Sequence, residues 1–178
     1  KSEERGLPGV RSHSGLTGGD AKKLAAAAGA EGFVNLLGEK ALDAVIYATA
    51  VGECNAAMGR IVAAPTAGAS GVLPGVLFAL KKHCGLDDAT LQRGMVVAGS
   101  IGMVINERAS LAGAMGGCQA ECGSAAAMAA GAAVSMLGGT PQQVGTAVAV
   151  VFKNVLGLVC DPVAGLVEVP CIKRNGAW

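Results

Sequence analysis

Residues 140–157 read TPQQVGTAVAVVFKNVLG, and this stretch indicates the fold class most clearly. Its first four residues have the features of a helix start, with Thr140 as the cap, Pro at the first helical position and Gln143 closing a capping box. Small and apolar residues then follow helical spacing rather than the alternation of a strand. Because Gly157 is placed to end the pattern, the stretch predicts one helix that runs to about Leu156.

The same helical pattern recurs toward the N-terminus. Further helices are predicted for Glu39–Met58, Val72–His83, Asp88–Ile105 (capped by Asp87) and the Ala-rich Ser124–Leu137. Strand signals are weak throughout. A chain of 178 residues is also short for two domains. We therefore predict a single compact all-α domain over residues 1–178, rich in Gly and Ala.

The composition suggests a domain that buries part of its surface against a partner. Apolar residues make up 52% of the chain but aromatic residues only 3%. Charged residues reach 15%, against about 25% in ordinary soluble domains. We infer a partner domain or chain and expect a homo-oligomer. The net charge of +1 is spread without long runs, and no segment of about 20 apolar residues occurs, so neither nucleic-acid binding nor a membrane span is expected.

The cysteines fall into different settings. Cys54 and Cys84 lie within or at the end of helical patterns, as core or boundary thiols do. Cys118, Cys160 and Cys171 lie at Gly or Pro turns and are predicted to be in loops, where backbone N–H groups can stabilise the negative charge of an iron-sulfur cluster. Their spacing alone leaves the existence of a metal site open.

Four Gly- and Cys-containing motifs occur along the chain: SGLTGGD at 14–20, PTAGASG at 65–71, GGCQAE at 116–121 and CDPVAGLVEVPC at 160–171. Together and in this order, they resemble the iron-sulfur-dependent L-serine dehydratase α chain. The resemblance implies an enzyme that deaminates L-serine to pyruvate and ammonia with a 4Fe-4S cluster and without pyridoxal phosphate. It implies Cys118, Cys160 and Cys171 as the cluster ligands. Three thiolates leave one iron open to act as a Lewis acid on the serine hydroxyl.

The resemblance also implies where substrate binds. The carboxylate and ammonium of serine need fixed polar groups, and the two Gly/Ser/Thr-rich loops offer hydroxyls and backbone N–H donors. The substrate-binding candidates are Ser14, Thr17, Thr66 and Ser70, with Lys153 and Asn154 from the apolar helix. Ordinary turn and cap chemistry is the alternative for the loop residues, and a solvent-facing side chain is the alternative for the lysine.

No catalytic residue is assigned within this chain. The base that removes the α proton of the substrate is expected in a β domain or subunit, in a Ser-rich His motif that this sequence lacks. His13 is expected to be a solvated loop residue. Asp161, Glu168 and Glu121 flank the cysteine motifs, and we expect them to make cap or loop hydrogen bonds rather than to act in catalysis.

Position 122 departs from the family pattern, because it carries Cys where an aliphatic residue is usual. Cys122 could crowd, replace or protect Cys118, or join it in a zinc site. Family α chains extend beyond both ends of this sequence, so we expect a fragment truncated at both ends, from a cytoplasmic enzyme. The competing hypotheses are a related cysteine or threonine lyase and a non-catalytic scaffold domain for subunit assembly.

Overall fold

A computed structural model describes residues 1–177, and within that range it contains α-helices and no β-strand. In chain order the helices are α1 (Ser2–Gly6), α2 (Asp20–Ala28), α3 (Gly38–Ala56), α4 (Val72–Cys84), α5 (Asp88–Arg108), α6 (Gly113–Gly116), α7 (Cys118–Met136), α8 (Pro141–Val155) and α9 (Glu168–Ala177). The all-α prediction is therefore confirmed. The last residue of the predicted domain, Trp178, lies outside the described residues. No helix in the described range is both long and apolar enough to span a membrane.

The helices with strong local signals begin within one residue of their predicted starts. In α8, Thr140 Oγ1 accepts the N–H of Gln143 at 3.3 Å, and the Gln143 side chain accepts the N–H of Thr140 at 2.8 Å. This is the predicted capping box. In α5, the Asp87 side chain accepts the N–H of Thr90 at 2.7 Å. Such caps pair N–H groups that the helix itself leaves free.

The prediction that the cysteine-bearing segments are loops is wrong for Cys118 and Cys171. α7 begins at Cys118 rather than at Ser124, directly after Gly117, whose φ of +72° favours glycine. α9 begins before Cys171 and accommodates Pro170 in its first turn, where a proline removes no intrahelical hydrogen bond. Cys160 does lie in a loop, between α8 and α9.

Two helices organise the packing. The Ala-rich α7 packs against α4, α5 and α8, and α3 packs against α1, α2, α4 and α9. Since α4 contacts both α3 and α7, it joins the two groups. Small residues make the close crossings possible: a Cβ at Gly75 of α4 would lie 2.8 Å from both Ala44 O and Ala48 Cβ of α3. The core is thus closed by backbone proximity rather than by large side chains.

Candidate functional site

Arg174 connects the segments that carry the predicted cluster ligands. Its Nη1 donates to Cys118 Sγ at 2.8 Å and to the carbonyl of Val159, also at 2.8 Å. Its Nη2 pairs with the carboxylate of Asp161 at 2.7 Å. The last two contacts flank Cys160 on either side. The guanidinium belongs to α9, so it brings the first turn of α7 and the loop after α8 together at that helix.

The third predicted ligand, Cys171, lies on α9 itself, about one turn before the arginine. Burial, the charge of Glu121 and the proximity of the Cys118 and Cys160 thiols raise the pKa of Cys171 to about 12. Cys171 therefore lies within electrostatic range of both of the other predicted ligands. They differ in exposure, because Cys118 is buried, Cys171 half-buried and Cys160 exposed.

The chemistry of these donors fits an iron-sulfur cluster. Within residues 1–177, no three His, Cys, Asp or Glu side chains lie close enough together to share one metal ion. A cluster does not require this arrangement, because each thiolate binds a different iron of the cluster. Thiolates are the ligands of such clusters, and a hydrogen-bond donor on a ligand sulfur, as Arg174 provides for Cys118, tunes them.

The remaining cysteines are not among the predicted ligands. Cys122 is fully buried one turn after Cys118, and burial followed by the proximity of the Cys118 thiol raises the pKa of Cys122 far above its ordinary value. Burial likewise raises the pKa of Cys171, so the raised pKa does not separate Cys122 from the predicted ligands. Cys54 is also fully buried and Cys84 is half-buried at the end of α4, as predicted for core and boundary thiols.

Each Gly-rich loop is held by a glutamate at the start of a cysteine-bearing helix. Thr66 Oγ1 donates to Glu121 in the first turn of α7. Ser14 Oγ donates to Glu168 at the start of α9, and Ser12 Oγ donates to the same carboxylate at 3.1 Å. The two glutamates thus make loop hydrogen bonds, as expected from the sequence. The contacts bring both loops to the helix ends at which Cys118 and Cys171 lie.

Two buried loop hydroxyls have no intramolecular partner. Among residues 1–177, the buried side-chain polar atoms without a hydrogen bond are Thr17 Oγ1 and Ser70 Oγ. An unpaired buried polar group costs about 1–3 kcal/mol, so such atoms indicate where a ligand or water completes the bonding. Both residues are substrate-binding candidates from the sequence. Ser70 also lines an apolar cavity of about 440 Å³ with Leu73 and Met128, and none of the cysteines lines that cavity.

Gly68 allows the second loop to lie directly against the cysteine-bearing helices. A Cβ at this position would lie 2.6 Å from Glu121 Oε1 and 3.3 Å from Cys171 Sγ. Buried Asn175 secures this approach from α9, because it donates to the carbonyl of Gly68 at 2.6 Å and accepts the N–H of Gly71 at 2.7 Å. The backbone of this loop therefore lies so close to the Cys171 thiol that a side chain at position 68 would collide with its neighbours.

The hydrogen-bonded network does not extend to every candidate. Lys153 and Asn154 are exposed on α8. His13 is exposed in the first loop, as expected, and His83 Nε2 lies 2.7 Å from Asp43 Oδ2 where α4 packs on α3. Neither histidine joins the three thiols.

Sequence reasoning missed three residues that position the site: Glu53, Arg174 and Asn175. Buried Glu53 in α3 accepts the N–H of Asp20 at 2.6 Å and of Ala21 at 3.4 Å, so it caps α2 and fixes the end of the first loop. Burial raises the pKa of Glu53 despite these bonds. Its sequence signal was a lone acidic residue inside an apolar helical pattern. Arg174 and Asn175 lie three and four residues after the last motif, which ends at Cys171.

Comparison with known proteins finds one family model and several curated relatives that carry the same description. Residues 1–177 match the family model described as serine dehydratase alpha chain. The chain is 55% identical over 172 residues to a probable L-serine dehydratase, alpha chain, from Bacillus subtilis (strain 168), covering 97% of this chain and 57% of that protein. It is 51% identical over 143 residues to the L-serine dehydratase, alpha chain, of Peptoniphilus asaccharolyticus, covering 80% and 49%. Identity to a probable alpha chain from Latilactobacillus sakei is 56% over 134 residues, covering 75% and 64%. The chain thus spans about half to two thirds of the length of these relatives.

Proposed function

Because the chain belongs to the serine dehydratase alpha chain family, we propose that it is the part of an L-serine dehydratase that carries a 4Fe-4S cluster. The whole enzyme is then a carbon-oxygen lyase that converts L-serine to pyruvate and ammonia. Two of the relatives reported above are named L-serine dehydratase, alpha chain, one of them as probable, and most of this chain aligns with each. We propose the same activity for the whole protein to which this chain contributes.

One observation supports the assignment of the cluster to this chain. The Arg174 guanidinium, on the same helix as Cys171, contacts both Cys118 and the residues on either side of Cys160, although these cysteines are far apart in sequence. Three neutral structural thiols would need no cation beside them. A cationic donor is instead the partner expected for sulfur that becomes negatively charged.

In this proposal Cys118, Cys160 and Cys171 hold the cluster through their thiolates. A 4Fe-4S cluster with three protein ligands supplies one open iron as a Lewis acid for the departing hydroxyl of serine. The surrounding loops bind and orient the substrate. Its carboxylate and ammonium need fixed polar partners, and the unpaired hydroxyls of Thr17 and Ser70 are available without breaking an existing bond.

The other substrate-binding candidates act differently. The hydroxyls of Ser14 and Thr66 are already donated to glutamates, so they would reach substrate through their remaining lone pairs or after exchanging partners. Lys153 and Asn154, exposed on α8, would contact substrate only from the outer side of that helix. Thr17 and Ser70 stay candidates beside them, and Ser70 would reach substrate only from the side of its apolar cavity.

The base that removes the α proton is proposed to come from a β domain or subunit, since neither histidine of this chain lies with the thiols. A homo-oligomer of the complete unit is part of the proposal, because apolar side chains such as Leu36, Val62 and Met103 are exposed. We propose the cytoplasm as its location, because all six cysteines are free thiols.

Anaerobic reconstitution of the full chain with iron and sulfide tests the proposal. We expect visible cluster absorption in the parent protein and its loss in the variants Cys118→Ser, Cys160→Ser and Cys171→Ser. Cys84→Ser is the matched control, because it removes a half-buried thiol on another helix and should keep the absorption. A parent protein without cluster absorption, or three variants that retain it, would refute the ligand assignment.

Turnover then separates the remaining alternatives. With the β region supplied, the reconstituted protein should release pyruvate from L-serine with a kcat/KM above that for L-threonine or L-cysteine. Preference for either of those substrates would favour a related lyase. Absence of turnover on all of them, with the cluster intact, would favour a scaffold.

A further inference from the structure

Arg174 has more contacts than a surface salt bridge requires. Its side chain is only 14% exposed, whereas its carboxylate partner Asp161 is 61% exposed. Ion pairs with an exposed partner contribute about 0–1 kcal/mol, so this pair alone does not explain why a guanidinium is buried here. The contacts to Cys118 Sγ and to the Val159 carbonyl account for the other donors.

The loop that carries Cys160 depends on these contacts. On its N-terminal side, the loop is held to α7 by hydrogen bonds from Gln119 N to the Leu158 carbonyl at 2.8 Å and from Gly157 N to Gln119 Oε1 at 2.9 Å. On its C-terminal side, Val163 and Leu166 bond only to each other. For residues 159–162, within the described chain, the hydrogen bonds and ion pairs to other elements all come from Arg174.

We propose that Arg174 is a positioning residue that holds the Cys160 loop against Cys118 in the absence of a cluster and retains the cluster once it is bound. The inference rests on the proposed function, because it assumes that these thiols bind a cluster. The geometry requires arginine, since its planar fork donates to three separate acceptors at once and a lysine ammonium cannot reproduce that arrangement. The positively charged guanidinium also contacts Sγ of the proposed ligand Cys118 directly.

The two roles make separate predictions for two substitutions. Arg174→Gln removes the charge and most donors, whereas Arg174→Lys keeps the charge and loses the fork. Arg93→Gln is the matched control, because it removes one exposed arginine far from the thiols. Arg93 lies on α5 next to Gly94, and Gly94 packs against Met136 at the end of α7 opposite Cys118. All three are made in the full chain, and equal unfolding midpoints establish that the fold is retained.

Hydrogen-deuterium exchange of the apo protein measures the first role. Peptides covering residues 157–163 should exchange several-fold faster in Arg174→Gln and in Arg174→Lys than in the parent, while Arg93→Gln exchanges like the parent. Parent-like exchange in Arg174→Gln would overturn the proposal. This measurement needs no cluster, so it decides the positioning role even if the parent fails to bind iron and sulfide and the proposed function is wrong.

Cluster retention measures the second role. Outer-shell partners of metal ligands typically change affinity by about 10–100-fold, so we expect loss of the cluster to a chelator to be faster by roughly that factor in Arg174→Gln. The reduction potential should fall in Arg174→Gln and recover in Arg174→Lys, because a cation near a cluster favours its reduced form. A purely structural arginine would change neither, and unchanged retention with an unchanged potential would overturn this part.

Discussion

Glu53 shows how a single buried carboxylate shapes the first loop. It lies in the last turn of α3, yet its oxygens accept the N–H groups of Asp20 and Ala21 at the start of α2. The N-cap position of α2 is Gly19, which has no side chain to offer. Glu53 therefore replaces a local cap with a distant one, and it fixes the point at which the loop of residues 14–19 ends.

The buried position of Glu53 makes stability depend on pH. Burial raises the pKa of Glu53 above its ordinary value of 4.5. A raised folded-state pKa contributes stability that is fully present below about pH 4.5 and is lost as pH rises through the folded value. We expect the free energy of unfolding of the parent, relative to Glu53→Gln, to fall as pH increases from about 4 to about 7. Urea denaturation at several pH values measures it, and a constant difference would contradict the expectation.

At the scale of the element, the α8 capping box should have a measurable energy. Thr140→Ala removes the acceptor for the Gln143 N–H and should lower the free energy of unfolding by about 1 kcal/mol. Thr146→Ala is the control, since its hydroxyl bonds to the Gln142 carbonyl within the same helix and caps nothing. Urea denaturation of both variants should show a loss for the first alone. Equal losses would mean that the cap contributes no more than an exposed hydroxyl.

The crossing of α3 and α4 should be equally sensitive to a single methyl group. Gly75→Ala places a Cβ 2.8 Å from Ala44 O and Ala48 Cβ, which cannot rotate away, so we expect a loss of about 1–3 kcal/mol. Gly99→Ala on α5 has nothing within 4 Å and should gain up to about 1 kcal/mol from helix propensity. Thermal unfolding of the pair tests both signs. A stable Gly75→Ala protein would show that the helices can separate without cost.

These elements also show what the sequence could reveal. The starts of α5 and α8 were predictable because their caps, Asp87 and Thr140, lie next to the helices they begin. The start of α2 was not, because its acceptor is supplied by α3. The first residues of α7 and α9 were predicted as loops, because glycine and proline occur there. For the site, family motifs indicated the three cysteines, whereas the Arg174 contacts depend on tertiary structure and have no signature in spacing.

At the scale of the whole molecule, low charge and exposed apolar surface have a common explanation. The composition predicted a partner, and the structure leaves side chains such as Leu36, Val62, Met103 and Met115 exposed. Isolated exposed apolar residues are ordinary, but here they accompany a charged fraction of 15%, which is below that of ordinary soluble domains. This surface agrees with the partner predicted from the composition, and the chain spans 57% of the length of its Bacillus subtilis relative.

Binding of the proposed cluster should stabilise the whole fold, because its three proposed ligands come from α7, the loop after α8 and α9. A ligand that binds only the folded state at 100 times its Kd adds about 2.7 kcal/mol. For a chain of this size, that corresponds to a Tm increase of roughly 5–10 °C. We expect this shift after anaerobic reconstitution, followed by circular dichroism, and its reversal by a chelator. Cys84→Ser should shift like the parent and Cys171→Ser should not. An equal shift in Cys171→Ser would mean that iron and sulfide stabilise the chain from another site.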